Sequence, residues 1–128
     1  MSRPAIRATQ LRKTYRSGDV ETEVLRGIDL CLREGGLYAI DGPSGSGKST
    51  LLHILGMLEA PSGGALEILG EDTTALSDSR KAVLRRRSIG FVFQSFYLIP
   101  GLTVYENVMM PNLLDRRRPD PAALAALL

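Results

Sequence analysis

Nine consecutive residues carry the clearest chemical signal in the chain, a glycine-rich run that ends in lysine, serine and threonine. In order, they are Gly42, Pro43, Ser44, Gly45, Ser46, Gly47, Lys48, Ser49 and Thr50. The run matches G-x-x-x-x-G-K-S/T at every position, the pattern of a phosphate-binding loop. In such a loop the backbone N–H groups turn inward around a polyphosphate, and glycines permit the positive φ and close approach that this requires.

The last three residues of the run have separate predicted roles. Lys48 is expected to reach the β- and γ-phosphates of a nucleotide, and the Ser49 hydroxyl to ligate Mg²⁺. Thr50 is expected to donate to an inner phosphate, at a helix N-terminus whose unpaired N–H groups and dipole favour anions. The pattern therefore predicts a site for a nucleoside triphosphate with Mg²⁺.

The residues around the loop predict the elements that such a loop needs. Residues 36–41 predict a short buried strand that leads into it, and residues 49–58 predict the helix that follows. Upstream, residues 6–15 and 21–33 predict two strands, with a turn at residues 17–19 between them. An α/β fold of the P-loop NTPase type is expected, with an amino-terminal antiparallel sheet. Simple P-loop kinases and GTPases usually begin nearer their loop, and this leader argues against both.

Further elements are predicted after the helix. They are a strand at residues 65–69, a basic helix at residues 80–87 capped within residues 77–79, a buried strand at residues 89–93, an apolar-rich loop at residues 94–102, a helix opened by a Thr103–Glu106 capping box, a charged linker at residues 116–121 and a helix at residues 121–128.

Composition excludes several classes of protein. Among 128 residues, 16 Lys+Arg against 14 Asp+Glu give a net charge of +2, too small to indicate nucleic acid or a membrane surface as partner. The single cysteine, Cys31, excludes an internal disulfide and is predicted to be a small buried residue in a strand. No apolar run approaches the roughly 20 residues of a membrane span, and a signal peptide is not predicted. A soluble, cytosolic chain is expected.

Two residues outside the loop complete a resemblance to a known family. Tyr15 precedes the loop on a predicted outer strand, and Gln94 follows the predicted strand at residues 89–93. Residues 100–108 then show P-x-L-T-x-x-E-N-V. Over nearly its whole length the chain resembles the nucleotide-binding domain of ABC transporters, especially ATP-binding proteins of the lipoprotein-releasing and macrolide-export type.

The resemblance implies roles for the matching residues and makes the chain a transport-coupled ATPase that uses ATP and Mg²⁺. Tyr15 is implied to stack on adenine, because an aromatic ring presents a flat face to a base. Gln94 is implied to contact Mg²⁺ and the attacking water, which a neutral amide can do without adding charge, and to signal to the membrane subunit. Lys48 and Gln94 are the implied catalytic residues. The alternatives are an exposed strand tyrosine and a solvated loop amide.

An arrangement of the chain and its partners follows from the same resemblance. Residues 1–35 are expected to form the antiparallel β part, residues 36–94 part of the P-loop core, and residues 95–128 the glutamine loop and the start of the helical part. The implied partners are a membrane permease subunit and, depending on nucleotide, a second copy of the domain, with no nucleic acid. The implied location is cytoplasmic, at the inner or plasma membrane through the permease.

The family pattern continues with an L-S-G-G-Q signature, a Walker B strand that ends in Asp-Glu, and a switch histidine, none of which these 128 residues contain. Residues 68–72 have Glu before Asp and precede Gln94, and His53, the single histidine, follows the loop on its helix. Because phosphoryl transfer depends on positioning and electrostatics, the chain is expected to be hydrolysis-deficient. It is expected to be the amino-terminal portion of such a domain, with buried strands left unpaired and a tendency to aggregate.

Several interpretations stay open. The chain could be a nucleotide-sensing or assembly module that binds ATP without hydrolysis, or a DNA-repair-type ABC ATPase head, although the linker at residues 116–121 argues against the coiled coil that such a head needs. Residues 85–87 and 116–118 are either solvated faces or contacts to a membrane subunit or anionic headgroups. The apolar cluster of residues 96–99 and Leu102 either packs on the helical part or faces the permease.

Overall fold

The computed structural model describes residues 3–118 and 120–126. Two compact units divide the chain, Met1–Ala82 and Val83–Leu128. The first unit contains a sheet, the glycine-rich loop and the helix after it. The second contains the segment that carries Gln94 and the helices after it.

The sheet of the first unit has four antiparallel strands. They are β1 (Pro4–Ser17), β2 (Val20–Arg33), β3 (Gly63–Ile68) and β4 (Glu71–Asp72), in the spatial order β2-β1-β3-β4. The turn between β1 and β2 contains Gly18 at φ 59°, in the left-handed region that favours glycine. The predicted amino-terminal antiparallel strands are confirmed, and β3 corresponds to the strand predicted at residues 65–69.

A bulge in β1 brings its two neighbouring strands close to Gln10. The register of β1 on β2 shifts between Ala8 and Leu11, and Gln10 has φ 48°. Asp29 holds the bulge by accepting from the Gln10 backbone N–H at 2.7 Å and from its side-chain amide. On the other side Gly64 lies so close that an added Cβ would stand 2.2 Å from the Gln10 carbonyl oxygen. The bulge therefore fixes where β3 can pack.

The core of the first unit lies between the sheet and helix α1 (Lys48–Leu55). The sheet contributes Ala8, Leu11, Leu25, Leu66 and Ile68, and the helix and the turn after it contribute Leu51, Ile54, Leu55 and Met57, all buried. Burying such side chains stabilises a fold by about 1.5–3 kcal/mol each. The helix that follows the loop is thereby anchored to the sheet.

Cys31 lies on the exposed face of β2, and its predicted burial is wrong. Side chains alternate across a strand, so Leu30 and Leu32 share one face while Cys31 points the other way. The apolar neighbours of a cysteine do not determine its burial when they occupy the opposite face.

The later helices are α2 (Asp78–Ser88), α3 (Val104–Leu114) and α4 (Pro121–Ala125). The predicted capping box opens α3: the Glu106 backbone N–H donates to Thr103 Oγ1 at 3.2 Å, and the Thr103 N–H donates to Glu106 Oε2 at 2.7 Å. Residues 127 and 128, the last of the predicted final helix, lie outside the described part of the chain. No helix among the described residues is long and apolar enough to cross a membrane.

Two predicted buried strands do not form in the described structure. Residues 36–41 and 89–93 belong to no strand or sheet, and Leu37 and Val92 are fully exposed. Strands need a neighbouring backbone, and the four-stranded sheet of the described residues includes neither segment. The apolar composition of the two segments predicts buried strands, but it does not identify the residues that would bury them.

Candidate functional site

The backbone of the glycine-rich loop has the curvature that its sequence predicts. Gly45 has φ 80° and Gly47 has φ 94°, both in the region that favours glycine. The Ser46 N–H donates to the Pro43 carbonyl at 3.2 Å and closes a turn inside the loop. At Gly47 an added Cβ would stand 3.0 Å from Val24 Cγ1. The loop therefore depends on glycine both for its dihedral angles and for its close packing on β2.

Helix α1 begins immediately after the loop and presents its N-terminus there. Its first intrahelical bond runs from the Leu51 N–H to the Gly47 carbonyl at 2.9 Å. The N–H groups of Lys48, Ser49 and Thr50 precede that bond and have no intrahelical acceptor. Together with the helix dipole they give this end a partial positive charge, which suits a phosphate.

The Lys48 side chain folds back over the loop. Its ammonium donates to the Gly42 carbonyl at 2.5 Å and to the Pro43 carbonyl at 2.8 Å. The charge thus sits at the loop itself, within the span where a bound phosphate would lie. Ser49, on the first turn of α1, is exposed and available as an oxygen ligand.

Tyr15 lies beside the helix that follows the loop. Its hydroxyl donates to Glu59 Oε2 at 2.9 Å and lies 3.4 Å from Thr50 Oγ1. The Lys13 ammonium stands 5.1 Å from the centre of the Tyr15 ring and 2.8 Å from Glu59 Oε1. Tyr15 is 39% exposed, so it is partly accessible to solvent.

The pKa of Glu59 is displaced by its two hydrogen-bond partners. The hydrogen bond from Lys13 holds the pKa of Glu59 below its usual value near 4.5, with a further contribution from the Tyr15 hydroxyl. Partial burial acts in the opposite direction. Glu59 therefore stays ionised at neutral pH and keeps both its partners.

Gln94 lies in the second unit, on an exposed loop, whereas Tyr15 and the loop residues lie in the first. Among residues 3–118 and 120–126, no cluster of three or more His, Cys, Asp or Glu side chains could hold a metal ion. Within the first unit, any Mg²⁺ at the loop would depend on the Ser49 hydroxyl and on oxygens of the nucleotide.

A model of the ABC transporter family matches residues 25–127. The chain belongs to the ABC transporter family. The structural similarity agrees: a dimeric ATP-binding cassette, MJ0796, in a post-hydrolysis state bound to ADP and Pi, superposes with a TM-score of 0.84 at 39% identity, over 93% of this chain and 52% of that one. The predicted ABC ATPase fold is thereby confirmed.

Relatives within the ABC transporter family include two kinds of protein. Lipoprotein-releasing system ATP-binding protein LolD 1 of Rhodopseudomonas palustris is 60% identical over 113 residues, which cover 88% of this chain and 50% of the relative. Macrolide export ATP-binding/permease protein MacB of Brucella abortus is 48% identical over 97% of this chain and 20% of its own length. The chain thus spans about half the length of the lipoprotein-releasing relative.

Sequence reasoning missed Lys13 and Glu59. Lys13 stands two residues before Tyr15 on β1, and residues at i and i+2 share one face of a strand, so its position beside the ring was predictable. Glu59 follows α1 in a turn, where the Leu58 and Glu59 N–H groups bond to the His53 carbonyl. Nothing local in the sequence signals that this turn directs Glu59 toward Tyr15.

Proposed function

We propose that the chain is the ATP-binding part of an ABC transporter subunit of the lipoprotein-releasing or macrolide-export type. The single observation that carries the proposal is the loop at residues 42–50. There, free N–H groups at the start of α1 and the Lys48 ammonium lie together on a backbone that requires glycine. The relatives named above support ATP as the nucleotide, since both are called ATP-binding proteins.

Each residue of the proposed site has a distinct task. The loop N–H groups and Lys48 bind the β- and γ-phosphates, Thr50 donates to an inner phosphate, and Tyr15 stacks on the adenine. Ser49 and Gln94 are the proposed ligands of Mg²⁺, which when bound neutralises charge on the phosphate oxygens. The residues fit the ion because hydroxyl and amide oxygens are the hard ligands that Mg²⁺ prefers.

The proposed partners come from the same relatives. We infer a membrane permease subunit, a cytoplasmic position beside it, and head-to-tail pairing of two domains on nucleotide; the dimeric MJ0796 cassette supports the pairing. In this proposal the domain boundaries expected from the sequence, residues 1–35, 36–94 and 95–128, describe the parts of one ATP-binding domain.

A second proposal concerns hydrolysis. These 128 residues contain no L-S-G-G-Q signature, no hydrophobic strand ending in Asp-Glu after Gln94 and no histidine except His53. Without those groups no acid or base in the sequence is assigned to the attacking water, and positioning supplies most of phosphoryl-transfer catalysis. We therefore propose that the 128-residue chain by itself binds Mg-ATP without measurable turnover.

A titration of the 128-residue chain with a fluorescent ATP analogue tests both proposals. Wild type should bind, Lys48→Ala should bind at least about tenfold more weakly, as expected for losing a charged hydrogen bond to phosphate, and neither should release phosphate. Lys81→Ala, which removes a lysine on α2, is the matched control and should bind as wild type does. Equal binding by wild type and Lys48→Ala rejects the loop as the site, and steady phosphate release rejects the second proposal.

A further inference from the structure

We propose that Glu59 and Lys13 are positioning residues that set the orientation of Tyr15 for the nucleotide base and connect Tyr15 to Thr50. The proposal rests on the proposed function, because it concerns the base-binding side of the same site. It adds two residues outside the phosphate-binding loop and outside every motif found in the sequence.

The single proton of the Tyr15 hydroxyl determines which group donates in its hydrogen bonds to Glu59 and Thr50. A phenol has one proton, and Tyr15 donates it to Glu59 Oε2 at 2.9 Å. The contact of 3.4 Å between the Tyr15 oxygen and Thr50 Oγ1 then needs the threonine as donor. One tyrosine oxygen therefore connects an ionised carboxylate to the Thr50 hydroxyl, and the Thr50 backbone N–H, which has no intrahelical acceptor, remains the donor for an inner phosphate.

Lys13 binds the second carboxylate oxygen of Glu59, Oε1. Its ammonium lies 2.8 Å from Glu59 Oε1 and 2.8 Å from the Ala60 carbonyl oxygen. The side chains of Lys13 and Glu59 are only 13% and 28% exposed. Fully exposed ion pairs hold side chains weakly, whereas this pair is shielded and each of its carboxylate oxygens has its own donor. Glu59 thus has little freedom to turn away from Tyr15.

The same ammonium restricts the Tyr15 ring. It stands over the ring, 5.1 Å from its centre, in the geometry of a cation–π contact. One face of the ring is therefore occupied by Lys13, and in this proposal the base stacks on the opposite face. The hydroxyl of Tyr15 is hydrogen-bonded to Glu59, and one face of its ring contacts Lys13. These two contacts together restrict the orientation of the ring.

The backbone explains why these groups meet. Lys13 and Tyr15 share a face of β1, and Thr50 lies on the first turns of α1. After Gly56, the positive φ of Met57, 56°, and the bonds to the His53 carbonyl reverse the chain so that Glu59 returns toward β1. The strand and both ends of the helix are thus joined by one series of side chains: Lys13, Glu59, Tyr15 and Thr50.

The test compares two ligands on the 128-residue chain, Mg-ATP and Mg-tripolyphosphate, which has the phosphates without the base. Glu59→Ala should weaken Mg-ATP binding about fivefold, the scale of one aromatic contact, and leave tripolyphosphate binding unchanged. Lys13→Met should give the same pattern more weakly. Glu59→Gln, whose amide oxygen still accepts from Tyr15, should lie nearer to wild type than Glu59→Ala does.

Glu67→Ala is the matched control, because Glu67 forms an exposed ion pair with Arg7 at 3.8 Å on the same sheet. It should change neither affinity. Equal losses for both ligands in Glu59→Ala and Lys13→Met indicate a general structural role and overturn the proposal, as does no loss for either. If wild type binds tripolyphosphate as tightly as ATP, the base makes no contribution and only this proposal fails. If wild type binds neither ligand, the proposed function fails with it.

Discussion

Arg86 and Asp115 are 29 residues apart in the sequence, yet Arg86 Nε donates to Asp115 Oδ1 at 3.0 Å. Arg87 donates to the same oxygen at 2.9 Å, and Arg117 lies 2.6 Å from Oδ2. The Asp115 side chain is only 5% exposed. One carboxylate therefore binds arginines from both runs, residues 85–87 and residues 116–118. From the sequence, these runs are predicted to be solvated faces or partner contacts.

Acid should weaken the second unit through Asp115. The hydrogen bond from Arg87, and then that from Arg86, hold the pKa of Asp115 below its usual value near 3.8. Because the folded-state pKa is the lower one, the stabilisation is complete above the usual pKa and is lost as pH falls through the folded value. Helical circular dichroism followed from pH 7 to pH 2 should show this loss.

Asp115→Asn should remove that acid-dependent step and lower stability at neutral pH, since the arginines lose their counter-charge. Asp120→Asn is the control, because Asp120 caps α4 through the Ala122 N–H and has no arginine partner among its described contacts. An acid transition that is unchanged in Asp115→Asn would contradict the assignment.

Gly47→Ala should disrupt the phosphate-binding loop. Alanine at φ 94° costs about 1–2 kcal/mol, and its Cβ would also press on Val24 and Leu25 of β2. The expected result is a lower midpoint of urea unfolding of the chain, followed by tyrosine fluorescence, together with weaker ATP binding. Gly90→Ala, where an added Cβ meets open space, should leave both unchanged.

The two unpaired segments should make the 128-residue chain associate with itself. Leu37 and Val92, one in each segment, are fully exposed, and apolar segments without a partner strand favour intermolecular pairing. Light scattering that rises with protein concentration and strong binding of a hydrophobic dye are the expected observations. Scattering that stays at the level of a monomer over the same range of protein concentrations would refute this expectation.

Leu98→Asp should separate partner docking from folding when made at the matching position of a full-length relative. Leu98 is 63% exposed here, and its neighbours Phe96 and Tyr97 are more exposed still. We expect transport to be lost while basal ATPase activity is kept. Loss of soluble protein or of ATPase activity would instead indicate that the cluster belongs to a core.

Local patterns predicted the parts of the fold whose causes are local. The glycine loop, the Thr103–Glu106 capping box and the alternation of β1 and β2 each depend on neighbouring residues, and each is present. Residues 36–41 and 89–93 show the opposite case. Whether an apolar segment becomes a strand depends on a distant backbone, and the segment's own sequence does not encode that backbone.

The candidate site divides in the same way. The loop residues could be predicted because the G-x-x-x-x-G-K-S/T pattern itself specifies the groups that bind phosphate. The roles of Tyr15 and Gln94 were predicted only from the resemblance to a family. Glu59 could not be found from either source, because its contact with Tyr15 depends on the turn at Met57 and on the packing of α1 against the sheet. Contacts between side chains far apart in the sequence require the tertiary structure.

The bonds from the Lys48 ammonium to the Gly42 and Pro43 carbonyls mean that an arriving phosphate competes with acceptors from inside the protein. Affinity at this site is then the difference between two sets of contacts to one cation. A change that removes an internal acceptor without disturbing the loop would tighten nucleotide binding, although it adds no contact to the nucleotide.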